Sequence, residues 1–489
     1  MAKTTFADLA RFGSLINDAG DSRDVAKLLA LDLEAATYCE AITPDSELGA
    51  YLWYFRSNIQ AALQDLSAPQ SWDWRQPYRE RQTLYLRRAA SHPSFVRLPP
   101  ISRASIFTNL ANSLSAFGRG LEAIALYDEA LAVVPNFAMA LGNRGKAMEG
   151  LLRSIPDPRH TKLVAAYACR LCRAARSADV TWEGGDPTLG RYFAETEKAI
   201  ASKIDVEKII SKSPLDQSSL GDSLVEQAYR RWALQENLFL NPLLVIGPHS
   251  IAATDRMNLP PHVAPVGDPP TFVAWFNQMK QEFVAARWLL YEGTRPRKKH
   301  FVDNEVFLVN TLDYPTFGIQ VEKLRASFRI AYGLLDKVAG FVNAYYMLGM
   351  DAAKVDFRNI WHVKKGVIRP EFLNKENLHL RGLYWLSQDI IGDDPTDQDS
   401  IAPEAGELKR LRNLLEHRCL VLRDMDFGDP MGVVETASLR EFEASTKHIV
   451  RLARVALMYL AFSLRKEESD RHKKHGENEI IPTMRLPIF

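Results

Sequence analysis

The sequence is poor in cysteine and carries almost no net charge. Its 489 residues include four cysteines, which are too few and too scattered for a disulfide framework. Lysine and arginine total 61 against 60 for aspartate and glutamate, a formal net charge of +1. Such a chain has no global field to hold nucleic acid, so any RNA contact must come from a local patch. A hydrophobic fraction of 46% with 25% charged residues excludes wholesale disorder.

Long apolar runs are missing as well. The N-terminus carries charges where a signal peptide would need an unbroken apolar stretch. The most apolar late segment, residues 455–464, is about half as long as a membrane-crossing helix and has arginines beside it. The sequence contains neither a glycine-rich phosphate loop nor a nucleophile elbow. We therefore expect a cytoplasmic protein with no membrane partner and no bound cofactor.

A repeat signature lies in the N-terminal half. A first helix containing Leu110 ends at Gly118, a second carries Ala123, Tyr127 and Ala130 at helical spacing, and Pro135 closes the unit. Small residues suit helices that approach closely. This unit, about residues 104–137, resembles a tetratricopeptide repeat, and the next first helix begins in register. We predict a tetratricopeptide-like helical array over residues 1–230, whose groove would take a protein or peptide partner.

Residues 231–317 form a predicted connector of mixed structure. Its prolines break any long helix, although one helix fits at 271–291 and a short strand fits within 301–312. A basic run follows the helix, at Arg295, Arg297, Lys298 and Lys299. These side chains are weak candidates for RNA-phosphate contacts, and a solvated turn is at least as good an interpretation.

The helical period returns after residue 318. Amphipathic segments at about 320–348, 377–391, 403–423 and 437–466 predict a four-helix bundle over residues 318–466. The charged tail, residues 467–489, is expected to fray. The predicted fold class is therefore all-α, with the array, the connector and the bundle in chain order.

The third bundle segment contains Arg412, Asn413 and His417. This pattern resembles the HEPN superfamily of ribonucleases and nucleotide-binding domains. In that family's ribonucleases, a four-helix bundle carries an arginine followed by a polar residue, and four to six residues separate the arginine from a histidine. The combination with N-terminal repeats is similar to one bacterial branch of that family. The spacing alone is not diagnostic, because other pairs in the chain share it, such as Arg465 and His472.

The resemblance implies a metal-independent endoribonuclease. In this interpretation His417 is the acid–base group, Arg412 stabilises the phosphate, and Asn413 orients it. Because one motif lacks a second acid–base group, HEPN ribonucleases dimerise to form a composite site, and their products carry 2′,3′-cyclic phosphate and 5′-hydroxyl ends. The same resemblance implies a toxin-like or antiphage role, with the array restraining the nuclease until a trigger arrives.

Three alternatives remain open from the sequence. Arg410, seven residues before His417, nearly eclipses it on a helix and competes for the arginine role. Arg412 could instead pair with Glu416 or Glu407 in a purely structural arrangement. The whole protein could be a non-catalytic nucleotide- or protein-binding scaffold built from repeats and a bundle.

Overall fold

The computed structural model describes residues 6–41, 46–67, 72–182, 187–261, 269–296, 300–364, 366–390, 401–425 and 434–475. The protein is all-α, with only two very short strand pairs among these residues. In the described ranges, eleven α-helices precede residue 240. They are α1 (Phe6–Asp21), α2 (Val25–Ala41), α3 (Gly49–Ser67), α4 (Pro77–Ser91), α5 (Pro100–Ala116), α6 (Gly120–Val133), α7 (Ala138–Leu151), α8 (Pro158–Ala174), α9 (Gly190–Ala201), α10 (Val206–Ser211) and α11 (Leu224–Gln235).

Helices α5 to α7 contain the predicted repeat unit. Gly118 makes the turn between α5 and α6 with a φ of 86°, a left-handed conformation that glycine adopts without strain. The Tyr127 hydroxyl donates to the Asn112 side chain at 2.7 Å, and the Asn143 amide donates to the same oxygen at 3.1 Å. The helices have the predicted order and spacing, while their tetratricopeptide identity stays a prediction.

Six α-helices and four short strands follow in the part of the chain that the structure describes. The helices are α12 (Thr271–Gly293), α13 (Ile319–Tyr345), α14 (Pro370–Leu373), α15 (Leu378–Ser387), α16 (Ala405–His417) and α17 (Leu439–His475). Strand β1 (His362–Lys364) pairs antiparallel with β2 (Val367–Ile368), and β3 (Leu420–Arg423) pairs parallel with β4 (Glu435–Ser438).

The C-terminal bundle is built around α17. Its central apolar residues, including Val450, Leu457 and Leu460, are fully buried between neighbouring helices, so the most apolar late segment is core. No helix within the described ranges is both long enough and apolar enough to span a membrane. Helix α12, which the prediction placed in the connector, packs along α13: the Ser327 hydroxyl donates to the Ala286 carbonyl at 2.8 Å. The predicted boundary near residue 318 therefore separates two helices that pack together.

Three local predictions were wrong. The tail predicted to fray from residue 467 continues α17 as far as His475. The Glu467 carboxylate accepts a 2.7 Å hydrogen bond from Lys375, and Glu468 is 3% exposed, so these residues pack on the bundle. The residues after 475 lie outside the described ranges.

The segment predicted as helix over 403–423 ends at His417, and Leu420–Arg423 form β3 instead, because this apolar run pairs with β4. The short strand predicted within 301–312 is not found in the described stretch 300–364. A short 3-10 turn at Phe301–Asp303 leads there into extended chain.

The array and the bundle share one hydrophobic core. The Phe117 ring stacks on Trp385 with centroids 4.0 Å apart, so the α5–α6 turn lies directly on α15. Beside this stack, the buried Arg119 guanidinium pairs with the carboxylate of Asp389. The N-terminal helices are thus part of the same packed body as the helices that carry the candidate site.

Candidate active site

Helix α16 presents the predicted motif on the outer side of the bundle. Leu408, Leu411 and Leu415 recur every three or four residues and are buried against the bundle. Arg418 turns into an extended conformation, with φ of −139°, and its N–H donates to the Leu414 carbonyl at 3.0 Å. The helix therefore stops at His417, which is its last residue.

The three predicted site residues lie on one short segment but point in two directions. Asn413 and His417 are exposed, and four residues place them about 40° apart on the helix surface. Arg412 is half-buried, about 140° away from His417 around the helix. Its guanidinium carbon lies 5.5 Å from the centre of the Tyr332 ring on α13. Within the described part of the chain, no hydrogen bond or ion pair reaches the His417 ring.

The rival arginine, Arg410, is held in an ion-pair network. Its guanidinium lies 2.8 Å from Glu407 and 3.2 Å from Glu435. The hydrogen bond to Glu407, with help from the charge of Glu435, raises the pKa of Arg410 above its usual value. A phosphate would have to displace these carboxylates.

The carboxylates suggested as structural partners of Arg412 have other partners. Glu407 pairs with Arg410, and Glu416 lies 3.9 Å from Arg329 on α13. Among the described residues, no carboxylate lies within ion-pair distance of Arg412. Its guanidinium therefore lies over an aromatic ring and forms no ion pair with these two acids, so its N–H donors can bind a phosphate.

A polar group on α13 that the sequence did not single out lies behind Arg412. Tyr332 is 5% exposed, and Asp336 follows it by one helical turn. Burial raises the pKa of Asp336, opposed by a 3.0 Å hydrogen bond from the Phe357 N–H and by the charges of Arg412 and Arg358. The sequence feature that could have identified this group is the spacing of four residues between Tyr332 and Asp336, which places both on one side of α13 beside its apolar stripe.

The basic run after α12 is only partly described. Arg295 is exposed, and its guanidinium donates to the Tyr291 hydroxyl at 2.9 Å while stacking on the same ring. Arg297, Lys298 and Lys299 lie outside the described residues. A role for this run in RNA binding stays a prediction.

The described residues contain no group of three or more histidine, cysteine, aspartate or glutamate side chains that could hold a metal ion. Cys169 and Cys172, the lone CxxC of the chain, are fully buried in the array. Burial raises the pKa of the Cys172 thiol to about 12, so the thiolate that a metal requires is disfavoured there.

The arrangement offers an oriented arginine, an exposed amide and an exposed imidazole on one helix. These groups can bind a phosphate and transfer one proton, since His417 is the one acid–base group among the three. Residues 265–467 match the family described as LA2681-like HEPN, which covers α12 to most of α17 and includes this site. No curated protein and no solved structure matches the chain. The C-terminal part of the protein is thus similar to the HEPN domains of that family, which supports the predicted superfamily.

Proposed function

We propose that the protein is a metal-independent endoribonuclease of the HEPN type. The observation that carries the proposal is the difference between two arginines on α16. Arg410 is ion-paired with two carboxylates, whereas Arg412 lies over the Tyr332 ring and makes no ion pair with a described carboxylate. Asn413 and His417 are exposed on the same helix. The similarity of residues 265–467 to HEPN domains supports the assignment.

The reaction is an internal transfer of phosphorus from one oxygen to another. A base takes the proton of the ribose 2′-hydroxyl, the 2′-oxygen forms a bond to phosphorus, and the bond to the 5′-oxygen breaks as an acid protonates that oxygen. The products carry a 2′,3′-cyclic phosphate and a 5′-hydroxyl. His417 serves as base or acid, Arg412 binds the non-bridging oxygens, and Asn413 orients the phosphate.

The second acid–base group comes from a second copy of the chain. One copy exposes His417 at the end of α16 as the single histidine of the motif, and the neighbouring Glu416 carboxylate lies 3.9 Å from Arg329. Two such helix ends facing each other would supply both an acid and a base to one phosphate. The functional unit is therefore a homodimer, or a higher oligomer, with a composite site.

Regulation acts through the N-terminal array, whose groove binds a protein or peptide. The buried contact of Arg119 with Asp389 connects the array to the turn that follows α15, which supports this link. A nuclease held in check by a sensor fits a toxin-like or antiphage role. Loss of growth on expression in bacteria, with RNA breakdown that His417→Ala abolishes, tests that role.

The direct test incubates purified protein with total RNA in EDTA and determines the chemistry of the fragment ends. We expect His417→Ala to lower cleavage roughly 10²–10⁴-fold, the usual contribution of an acid–base group, and Arg412→Ala to have a comparable effect. His472→Ala is the matched control, because this exposed histidine follows Arg465 at a spacing close to that of the motif but lies far along α17. Arg410→Ala is expected to retain activity.

A specific result would favour the non-catalytic alternative. Absence of cleavage by wild-type protein, alone and after expression in cells, would contradict the nuclease and favour a scaffold. Cleavage that survives both His417→Ala and Arg412→Ala would place the activity elsewhere.

A further inference from the structure

The segment Phe301 to Phe317, here called the arm, exposes an unusual number of apolar side chains. Phe307 is 91% exposed, Val309 83% and Leu312 82%. The other exposed apolar residues of the arm are Phe301, Val302, Val306, Leu308, Tyr314 and Phe317. Its four aromatic side chains alone expose roughly 500 Å² at about 200 Å² for each complete side chain. With the aliphatic residues, the arm exceeds the ~300–600 Å² of the largest patch on an ordinary monomer.

The exposure of the arm does not result from a frayed end. At its start, the Asp303 carboxylate accepts a 3.0 Å hydrogen bond from the Ile319 N–H. At its end, the Thr316 N–H donates to the Leu422 carbonyl of β3 at 2.8 Å. The two ends are thus fixed on the bundle, and the apolar stretch between them projects from it.

The middle of the arm is extended main chain without backbone hydrogen bonds, and three residues of the arm have strained backbone conformations. Within the described part of the chain, residues 305–311 make no backbone–backbone hydrogen bond. Glu305, Leu312 and Tyr314 have φ values of 60°, 63° and 58°, a left-handed conformation that is uncommon for these residue types. Both faces of the stretch from Val306 to Val309 are exposed, unlike a surface strand with one buried face. An unpaired apolar edge of this kind is a template for pairing with another chain.

The charges of the arm narrow the choice of occupant. Residues 301–317 contain three acidic side chains and neither lysine nor arginine. RNA and anionic membranes bind through basic side chains, so both are disfavoured. Asp303 accepts a hydrogen bond at the start of α13, and Asp313 forms an ion pair with Arg423. These contacts reduce the charge repulsion that the two carboxylates would exert on the same acidic arm of a second chain.

We propose that the arm is the contact through which two copies of this chain dimerise, each arm pairing with the same arm of the second copy. The exposed apolar area approaches the ~800 Å² per partner of a stable interface, and a two-fold axis allows an unpaired edge to complement itself. Strand β3, which holds the end of the arm, begins three residues after His417. The inference deepens the proposed function, because the pairing of two arms would hold two α16 ends in one assembly.

The test measures molar mass by light scattering during size-exclusion chromatography. Wild type is expected to be a dimer at micromolar concentration, and Phe307→Glu/Val309→Glu a monomer with an unchanged circular dichroism spectrum. Leu224→Glu is the matched control, because this side chain is 82% exposed at the start of α11, outside the arm. It is expected to remain a dimer. A monomeric wild type, including one that binds vesicles or another protein through the arm, would overturn the proposal, as would a double variant that stays dimeric.

Cleavage assays separate the two proposals. His417→Ala should remain a dimer without activity, whereas the arm variant should lose at least about tenfold of the wild-type rate at equal concentration. If the arm variant stays dimeric while wild-type cleavage depends on His417, the proposed role of the arm is refuted and the proposed nuclease function is not. If the arm variant is monomeric but fully active, dimerisation through the arm is supported and the composite active site is refuted.

Discussion

The ion pair between Arg119 and Asp389 allows a quantitative test of how the array is joined to the bundle. The two side chains are 1% and 2% exposed, and Arg87 also donates to the Asp389 carboxylate at 2.7 and 3.0 Å. Removing one member of a buried pair usually costs about 3–5 kcal/mol, because the other charge stays buried without its partner. Since Arg87 would remain on Asp389, we expect Arg119→Met to lower the free energy of unfolding by about 3 kcal/mol.

Urea denaturation of the full chain, followed by circular dichroism, measures this change. Asp389→Asn should cause a similar loss. The double variant should lose clearly less than the sum, because both substitutions break the same contact. The control is Arg97→Met, which breaks an exposed pair with Glu47 and should cost less than about 1 kcal/mol. A loss below about 1 kcal/mol for Arg119→Met, or strict additivity, would refute the reasoning.

The same carboxylate gives a pH dependence with a defined sign. Burial alone raises the pKa of Asp389, but the guanidinium groups of Arg119 and Arg87 outweigh it and hold the pKa well below its usual range. A depressed pKa in the folded state stabilises the protein above the unfolded value of about 3.9, and this stabilisation is lost as the pH falls below it. Arg119→Met should therefore weaken the loss of stability below pH ~4.

Three further results are expected. Gly118→Ala should destabilise by roughly 1–3 kcal/mol, since φ is 86° and the new Cβ would lie 2.0 Å from the Leu378 carbonyl oxygen. Gly150→Ala, in α7 with open space around the new Cβ, should instead stabilise by up to about 1 kcal/mol in the same denaturation assay. Burial lowers the pKa of His379 to about 4, so about 3 kcal/mol of stability should disappear as the pH falls from ~6.5 to 4, and His379→Gln should flatten that window. Tyr332→Leu should slow RNA cleavage roughly tenfold in initial-rate measurements by removing the ring beneath Arg412.

Periodicity predicted the helices well because helix formation depends mainly on local pattern. The segments predicted at 320–348 and 437–466 correspond to Ile319–Tyr345 and Leu439–His475. The error at 420–423 has a different origin. An apolar run of leucine and valine fits a helix or a strand equally well, and the contact that selects the strand comes from β4, beyond residue 433.

Only the residues of the candidate site that lie on α16 could be predicted from the sequence. The spacing of Arg412, Asn413 and His417 is a local property, whereas the partners of the arginines are set by packing. Glu435 reaches Arg410 from 25 residues away, and Tyr332 supports Arg412 from another helix. Sequence spacing left the choice between these arginines open because it contains no information about such contacts.

The shared core limits how the array can regulate the bundle. Swinging the array away as a unit would uncover Phe117 and Trp385, at about 2–3 kcal/mol for each large aromatic side chain. It would also break the pair of Arg119 with Asp389, at about 3–5 kcal/mol. A ligand in the groove would have to offset this free energy by binding the opened form of the protein more tightly than the closed form. The arm needs no such opening, because its apolar side chains are already exposed. Under the proposed function, a trigger therefore acts more easily on the assembly of two chains than on release of the array.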